Sequence, residues 1–476
     1  MYNSSHTTVS ALALIQLIAF AQTIHAETPS LYNRLDGVFV SDGYGYVTDL
    51  RSDQMKVYHL SGESCVLDVN TSEYIETLIT ADTVTLSADG NSFDFGSEFE
   101  PHKRTLTRVD QLPAPCLNPT PDTPQGNFDA FVAAFSAHYA FFDLYGVNWN
   151  EVVAQAQTKV TPDMTDEALF YLFADMIAPL SDGHLSLQAE INDEDFDTSP
   201  DTTILSRGME KRQKEIGAAD GEVSYAVLEG FLGGIADDIL NGDGDEYAHG
   251  KIQAGIIDGN VGYMSVLMLM EFTGSQLMPT MDAGSDADDY RALNNILDDI
   301  LTKFVQEDVS AVIIDATINF GGSDYLGRAI AARFAENEQL AYSKRAYDAQ
   351  GTTATDIYVT PSDRASFYGP VYLMTTDSTG SAGEIMTMSL RALPNVTHMG
   401  QSTNGGLSDI LSKVLPNGWN LSLSNEIYLD HEGVAWEGLG IAPDVALQIS
   451  SEADLLDGHQ AAVATVLDRI KSDLAK

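Results

Sequence analysis

Cysteine, basic residues and long apolar runs are all scarce in this chain of 476 residues. Its two cysteines are too few for a zinc site of the usual kind, and we expect no metal ion or other cofactor. The 24 lysines and arginines face 70 aspartates and glutamates, which gives a formal net charge of −46. We therefore expect no nucleic-acid partner, because phosphate binding needs clustered basic side chains. The acidity is spread along the chain, and we interpret it as a solvated surface.

The N-terminus carries an apolar run, Ala11–Ala21, that is too short to span a bilayer. The run ends near Ala26, a small residue of the kind that precedes a signal-peptide cleavage site. This predicts a signal peptide over residues 1–26, although the usual basic residue before the run is missing. The alternative is a frayed N-terminal helix. With a signal peptide, the protein is periplasmic or secreted and has no membrane span after signal removal.

Both cysteines, Cys65 and Cys116, fall in the N-terminal part of the chain. Exported proteins fold under oxidising conditions that favour disulfides. The sequence therefore predicts one disulfide between these two residues, closing a long loop.

The chain divides into regions of different pattern, which together predict an α+β multidomain protein. Residues 27–112 alternate apolar and polar positions between Gly, Asp and Asn turns, which predicts a small antiparallel barrel or sandwich. Residues 113–126 contain five prolines and are a predicted linker. Helical periodicity follows over residues 127–250, and strands alternate with helices over residues 251–450, as in an α/β domain. A C-terminal helix is predicted over residues 451–476.

Four segments place reactive side chains at the ends of predicted elements, where such groups can converge. LSDGHLSL contains His184, and VIIDATINFGGSD contains Asn319 before two glycines. TGSAGE surrounds Ser381, and WEGLGIAPDV contains Glu437.

Ser381 has two interpretations. With Glu384 it forms Ser-x-x-Glu, the pattern of a helix capping box, and an amphipathic stretch follows it. An apolar stretch that reads as a buried strand precedes it. The same strand, turn and helix also present a nucleophilic serine beside free backbone N–H groups. By itself, this segment favours the cap.

In this order, the four segments resemble the serine peptidase family that contains the C-terminal-processing (tail-specific) proteases, the tricorn core and the interphotoreceptor retinoid-binding modules. IDATINFGGSD is similar to the family's strand end, Asp-Leu-Arg-x-Asn-x-Gly-Gly. TDSTGSAGE is similar to the family's nucleophile turn, Thr-x-Ser-Ala-x-Glu, and EGLGIAPDV is similar to its final motif, Glu-Gly-x-Gly-Val-x-Pro-Asp. YAFFDLYGVNWNEV, at 139–152, resembles its leading helical segment. The resemblance covers about residues 128–447 and implies an α/β catalytic core of the crotonase/ClpP-like type.

This chain departs from the family pattern in three places. The tail-specific proteases carry a lysine base about 25 positions after the serine, where this chain has Gly406, and Thr317 replaces the usual arginine. The stretch between His184 and the VGYMSV strand shows no PDZ pattern. The chain therefore resembles the tricorn and retinoid-binding branch, which lacks a PDZ domain and uses Ser, His and Glu.

The resemblance implies a role for each candidate residue. Ser381 would be the nucleophile, His184 the general base and Glu437 the carboxylate that orients the imidazole. The N–H groups of Gly322 and Ala382 would form the oxyanion hole. Three further residues are expected to support the site: Asn319, Gly321 and Glu384.

Some assignments remain open at this stage. His398 and His431 are alternative bases, although His398 fits a strand better. The tricorn-type site has a serine directly before its histidine, where this chain has Gly183. A relay between His184 and Glu437 would then run through Ser186 or through water.

The sequence thus predicts an exported serine peptidase that hydrolyses peptide bonds in peptides or proteins through an acyl-enzyme. A non-catalytic carrier of apolar ligands on the same fold is the main alternative. An esterase acting on small acyl compounds is another, with the same mechanism.

Overall fold

The structure is a computed structural model that describes residues 35–51, 55–68, 84–198, 203–219, 221–279, 284–347 and 352–476. The predicted signal peptide, residues 1–26, lies outside the described residues. None of the helices within those ranges combines the length and the apolar character that a membrane crossing needs.

The N-terminal region forms one antiparallel sheet of seven strands in the order β4-β3-β2-β1-β7-β6-β5. The strands are β1 Val38–Ser41, β2 Tyr46–Asp49, β3 Lys56–Ser61, β4 Ser64–Asp68, β5 Val84–Leu86, β6 Ser92–Phe95 and β7 Arg104–Val109. Successive side chains point to opposite faces. Phe39 and Phe93 therefore pack in a cluster on one face, and Val47 and Tyr58 in a second cluster on the other. The predicted antiparallel β region is confirmed.

A disulfide joins the N-terminal sheet to the proline-rich segment, as the sequence predicted. Cys65 lies in β4, and Cys116 lies in a short 3-10 helix, Ala114–Leu117. The bridge spans a sequence separation of 51 residues. It attaches the start of the segment that leads into the helical region to the sheet.

The next unit packs three helices against a four-stranded sheet in the order β18-β19-β8-β9. Its elements are α1 Pro124–His138, α2 Trp149–Gln157, α3 Asp166–Ile177, β8 Ser186–Ile191, β9 Glu194–Thr198, β18 Ile410–Val414 and β19 Asn420–Ser424. Aromatic side chains dominate its core, where Phe131 stacks on Phe173 with ring centroids 4.2 Å apart. Because β18 and β19 come from much later in the chain, this unit joins two distant segments.

Helices occupy the described residues between β9 and β10. They are α4 Ile204–Ile216 and α5 Glu222–Gly234, followed by a π-helical turn, Ile235–Ile239. These ranges contain no strand.

The core is a seven-stranded mixed sheet in the order β10-β11-β12-β13-β16-β17-β21. Its strands are β10 Asp245–Tyr247, β11 Ile252–Ile257, β12 Val261–Val266, β13 Ala311–Ala316, β16 Val371–Thr375, β17 Val396–Gly400 and β21 Val445–Ala446. The five strands from β12 onward run parallel. β13 is buried along its whole length, because helices cover both faces. This arrangement confirms the predicted α/β core.

Two helical layers enclose this sheet. On one face lie α6 Asp286–Gln306, α7 Asp324–Ala332 and α8 Ala382–Arg391. On the other face lie α4, α5 and the C-terminal helix α9, His459–Leu474. A small sheet of β15 Thr355–Val359, β14 Gln339–Ala346 and β20 Glu426–Asp430 completes the fold. The sequence LSLSNEIYL, residues 421–429, which by its pattern would form one strand, is divided between β19 and β20, and these strands belong to different sheets.

The carboxyl ends of β13 and β16 bring two of the four sequence segments together. Because these neighbouring strands are parallel, the loops that follow them emerge at the same edge of the sheet. A parallel bridge pairs Asn319 with Thr379, and another pairs Leu269 with Gly322. The segments that hold Asn319 and Ser381 are therefore direct neighbours.

Candidate active site

Ser381 lies on a sharp turn between β16 and α8. Its backbone has φ 53° and ψ −129°, a conformation that a side-chain-bearing residue adopts only where the surroundings impose it. The loop after β13 imposes it here. The hydroxyl of Thr379 donates to the carbonyl of Ala316 at 2.6 Å, and the N–H of Gly380 donates to the carbonyl of Asn319 at 3.0 Å. Strain of this kind is typical of a serine held at a nucleophile turn.

The capping box that the sequence favoured for Ser381 is not formed. The Ser381 side chain accepts no hydrogen bond from the first turn of α8. The Glu384 carboxyl group binds residues 403–406. The N–H groups of Gly383 and Glu384 already donate to the carbonyls of Gly380 and Ser381, so within the described residues the Ala382 N–H and the Ser381 hydroxyl are the groups available to a bound substrate.

Gly321 and Gly322 bring the backbone close to Ser381. Gly321 has φ +80°, and a Cβ atom there would lie 2.6 Å from the Cβ of Ser381. Gly322 has φ +136°, and its Cβ would lie 2.1 Å from the carbonyl oxygen of Leu269. Neither position accepts a side chain. Within the described ranges, the N–H groups of Gly322 and Ala382 donate to no protein acceptor.

Asn319 is fully buried and holds this glycine turn in place. Its side-chain amide donates to the carbonyl of Val266 at 2.8 Å, and its side-chain oxygen accepts the N–H of Gly321 at 2.9 Å. Asn319 thus connects the end of β12 to the turn beside Ser381. This is the kind of structural support that the sequence predicted for it.

His184 lies in the turn between α3 and β8, in a segment distant from Ser381 in sequence. The Nδ1 atom of its ring is buried and has no hydrogen-bond partner. The ring Cε1 is 3.8 Å from the point that a Cβ on Gly406 would occupy. The structure therefore brings His184 to the loop that replaces the lysine turn. The described residues include no hydrogen bond from its ring to Ser381 or Glu437.

Asp182 is a site residue that the sequence reasoning missed. It is 1% exposed, and its Oδ1 accepts the N–H of His184 at 2.9 Å and the hydroxyl of Ser424 at 3.0 Å. Its Oδ2 accepts the hydroxyl of Tyr139 at 3.0 Å. The signal was present in Asp-Gly-His, because an aspartate readily accepts the N–H two residues later. Asp182 fixes the backbone that carries His184.

Glu437 is buried, and its Oε2 atom accepts the N–H groups of Leu407 at 3.0 Å and Ser408 at 2.8 Å. Its Oε1 atom is buried without a partner. Burial holds the pKa of Glu437 well above its usual range, and the charges of Asp182 and Glu384 add to the effect. The three carboxyl groups therefore share one poorly solvated region.

Glu384 holds the other end of the same loop. Its Oε1 accepts the Thr403 hydroxyl at 2.5 Å and the Gly405 N–H at 2.7 Å, and its Oε2 accepts the Gly406 N–H at 2.8 Å. Burial raises the pKa of Glu384 to about 7 despite these bonds. We call residues 403–408 the clamped loop, since two buried carboxyl groups bind its backbone.

The alternative bases lie elsewhere. His398 is fully buried within β17, and its Nε2 is 2.6 Å from the Thr375 hydroxyl on the adjacent strand. Burial lowers the pKa of His398 to about 3. His431 is exposed on the turn after β20. Ser186 is buried in β8, and its hydroxyl makes no hydrogen bond to His184 or Glu437 within the described residues. No group of three potential metal ligands is found among the described residues.

Comparison with known proteins gives a family for the central part of the chain. Residues 277–447 match the sequence model of peptidase family S41. This segment contains Ser381, Gly322 and Glu437, whereas His184 precedes it. In the structure, His184 lies next to Gly406 of the matched segment.

Two solved structures have the same fold. A protein from Parabacteroides merdae, described as a candidate peptidase, is 24% identical with a TM-score of 0.55, and the match covers 73% of this chain and 97% of that one. Mature CPAF is 13% identical with a TM-score of 0.53, and the match covers 74% of this chain and 98% of that one. At these identities, the likeness concerns the fold.

Proposed function

We propose that the protein is an exported serine peptidase, similar over residues 277–447 to peptidase family S41, that cleaves peptide bonds through an acyl-enzyme on Ser381. In this proposal His184 is the general base, and Glu437 is the carboxylate that orients the imidazole and stabilises its charged form. The N–H groups of Gly322 and Ala382 are the oxyanion hole.

The conformation of Ser381 is the observation that carries this proposal. A helix cap needs neither a positive φ nor a free hydroxyl, yet Ser381 has both. The loops that hold the strain also place the Gly321–Gly322 turn against the serine. Two unpaired N–H groups beside an unpaired hydroxyl form the arrangement that acyl transfer requires, since negative charge develops on the carbonyl oxygen.

The chemical steps follow from the residue types. A serine hydroxyl is a weak nucleophile at neutral pH, so His184 accepts its proton as Ser381 attacks the carbonyl carbon. The two N–H groups stabilise the oxyanion of the tetrahedral intermediate. His184 then donates the proton to the leaving amine, and the acyl-enzyme forms. Water, activated by the same imidazole, hydrolyses the ester and releases the acid.

A bridging water is our proposal for the link between His184 and Glu437. The ring Nδ1 and the Glu437 Oε1 are both buried, and neither has a hydrogen-bond partner among the described residues. Both residues also border the clamped loop, His184 at Gly406 and Glu437 at Leu407. A water that accepts from Nδ1–H and donates to Oε1 would satisfy both groups. Because residue 183 is a glycine, no hydroxyl group next to His184 in the sequence can connect the imidazole to Glu437 directly.

Export is supported by the apolar N-terminal segment and by the disulfide. Disulfides persist in the periplasm and outside the cell, but they are rare in a reducing cytosol. N-terminal sequencing of the protein recovered from its natural compartment is expected to show a mature chain that begins near residue 27. A chain that retains residues 1–26 in the cytosol would contradict this part of the proposal.

Fluorophosphonate labelling tests the nucleophile. Such probes phosphonylate an activated serine, so wild-type protein should be labelled and Ser381→Ala should not. Ser378→Ala is the matched control, because Ser378 lies in the same turn and its hydroxyl is buried. We expect Ser381→Ala to lower the rate of peptide cleavage by about 10⁴-fold or more, and Ser378→Ala to stay active.

The same measurements separate the other functions. Well-folded wild-type protein that resists the probe would favour a carrier of apolar ligands on this fold. Labelled protein that turns over esters but cleaves no peptide would favour an esterase. Labelling that persists in Ser381→Ala would show that another serine is the nucleophile.

A further inference from the structure

The N-terminal sheet packs directly on the part of the core that follows the clamped loop. The hydroxyl of Tyr46, in β2, donates to the carbonyl of Ser412 at 2.8 Å. The buried ammonium of Lys413 donates to the carbonyl of Gly45 at 3.1 Å and to that of Tyr44. It also lies 4.5 Å from the centre of the Tyr46 ring. Residues of β18, next to the clamped loop, are thus held by the N-terminal sheet.

A second set of contacts reaches the clamped loop itself. The hydroxyl of Tyr44, 2% exposed, donates to Oε1 of Glu426 at 2.5 Å. The backbone N–H of Glu426 donates to the Ser408 hydroxyl at 2.9 Å. The N–H of Ser408 donates in turn to Glu437 at 2.8 Å. Three successive hydrogen bonds therefore connect Tyr44 to the carboxyl group proposed to serve the imidazole.

An ion pair secures the residue directly after Ser408. Arg104 of β7 lies 3.6 Å from the carboxylate of Asp409. The guanidinium also lies 4.9 Å from the centre of the Tyr44 ring. Arg104 and Tyr44 therefore form one contact surface, which we call the sheet brace. Both side chains pair with charged groups, and such hydrogen bonds and ion pairs are stronger than neutral ones.

We propose that the N-terminal sheet is part of the catalytic apparatus, and that Tyr44 and Arg104 are positioning residues that hold the clamped loop and Glu437 in working geometry. The proposal rests on the proposed function. Neither residue touches the substrate. Tyr44 acts through Glu426 on Ser408, whose N–H binds Glu437, and Arg104 acts on Asp409, the residue that follows Ser408. A small displacement of such groups is costly in rate, because catalysis depends on placement within a fraction of an ångström.

This assignment gives a role to a sheet that has no catalytic motif of its own. Its polar contacts with the core include Glu426, Asp409 and Lys413, and each of these residues is in or beside a segment that forms the site. The sheet supplies tyrosine, arginine and backbone carbonyls to that surface. Such a surface suits fixed attachment, since the groups that it buries are already paired.

The test compares Tyr44→Phe, Arg104→Gln and Asp409→Asn with the wild-type protein. Tyr44→Phe removes one hydroxyl and keeps the ring, so the fold is retained. We expect kcat for a peptide substrate to fall about 10-fold in each variant while KM changes less than twofold. Arg104→Lys should restore most of the rate lost in Arg104→Gln. Tyr58→Phe is the control, because Tyr58 lies in the same sheet but packs within its own apolar cluster.

A double-mutant cycle shows whether the effect travels through the ion pair. Arg104→Gln combined with Asp409→Asn should lower kcat no further than the worse single change, because the two residues act as one contact. Wild-type kcat in folded Tyr44→Phe and Arg104→Gln would overturn the proposal, as would multiplicative losses in the cycle. A loss of equal size in Tyr58→Phe would also overturn it, since the effect would then be general to the sheet.

The rate of fluorophosphonate labelling separates this inference from the function on which it rests. If the wild-type protein resists the probe, the proposed nucleophile fails. If the wild type is labelled and the brace variants are labelled equally fast, the function stands and the positioning role fails. Labelling that is about 10-fold slower in Tyr44→Phe and Arg104→Gln supports both.

Discussion

Glu437 offers the sharpest test of the site, because one substitution at this position separates its structural role from its catalytic role. The Oε2 atom accepts two backbone N–H groups of the clamped loop, and Oε1 is unpaired. Glu437→Gln can place its carbonyl oxygen at the Oε2 position and keep both bonds. Glu437→Ala loses both and leaves two N–H groups buried.

The structural cost follows from this count. A buried N–H without a partner costs about 1–3 kcal/mol, so Glu437→Ala should lower the free energy of unfolding by about 2–6 kcal/mol. Glu437→Gln should lower it by about 1 kcal/mol or less, since shape and acceptor are kept. Chemical denaturation of the three proteins measures the difference.

Activity should respond differently, because both variants lack the carboxylate. We expect kcat to fall about 10²–10⁴-fold in each, as when a carboxylate that orients a catalytic imidazole is made neutral. The amide of Glu437→Gln would donate to the proposed bridging water, which would then donate to His184 Nδ1 and favour the tautomer whose Nε2 carries a proton. That tautomer cannot accept a proton from Ser381.

The pH dependence has a defined sign. Burial, together with the charges of Asp182 and Glu384, holds the pKa of Glu437 above its usual range. The ionised form is the active one, so kcat should fall as the pH drops through that raised pKa. Asp182→Asn removes one of the neighbouring charges and should move this fall to lower pH.

Three results would refute the reasoning. Wild-type kcat in Glu437→Gln would show that the carboxylate charge plays no part in catalysis. Equal stability of the Gln and Ala variants would show that the clamped loop does not depend on the two hydrogen bonds. A fall in kcat that stays at the same pH in Asp182→Asn would remove the proposed coupling.

Three other predictions follow from the same geometry. Gly321→Ala should abolish peptide cleavage because its Cβ would collide with Ser381, whereas Gly259→Ala, with φ +89° and open space, should cost stability and leave kcat unchanged. Burial raises the pKa of Glu384 from 4.5 to about 7, so the neutral carboxyl group stabilises the fold below pH 4.5. As the pH rises through 7, the free energy of unfolding should fall by about 3 kcal/mol. Denaturation at pH 5 and pH 8 should therefore show a smaller change in Glu384→Gln than in the wild type. Serine in place of both cysteines should lower the free energy of unfolding by about 4 kcal/mol, measured by denaturation under non-reducing conditions, because the disulfide closes a loop of 51 residues.

Local patterns in the sequence were sufficient to predict the main elements of the fold. Alternation predicted the N-terminal antiparallel strands, and apolar runs predicted the parallel core strands such as β13. The strand, turn and helix around Ser381 were likewise predicted correctly as elements. The side-chain bonds there were not, because the Ser381 hydroxyl accepts no N–H of its own helix and Glu384 binds the clamped loop. A capping box is predicted from four neighbouring residues, whereas the Glu384 carboxyl group binds residues of the clamped loop, about 20 positions later in the chain.

The four reactive segments could be recognised from the sequence, but their meeting could not. His184 and Glu437 could be identified as candidates because each has a side chain capable of the chemistry and lies at the end of a predicted element. Both features depend only on a few neighbouring residues. Asp182 was missed, because its importance comes from Tyr139 and Ser424 in distant elements.

The sequence by itself therefore determined which elements form, how acidic the surface is and which residues are chemically able to act. Only the tertiary structure decided that β18 and β19 join a sheet with β8, that the N-terminal sheet holds Asp409, and that His184 lies beside Gly406. The physical reason is the distance along the chain over which each interaction acts. Propensity, periodicity and turn chemistry act over a few residues, whereas burial and pairing across hundreds of residues depend on how whole elements pack.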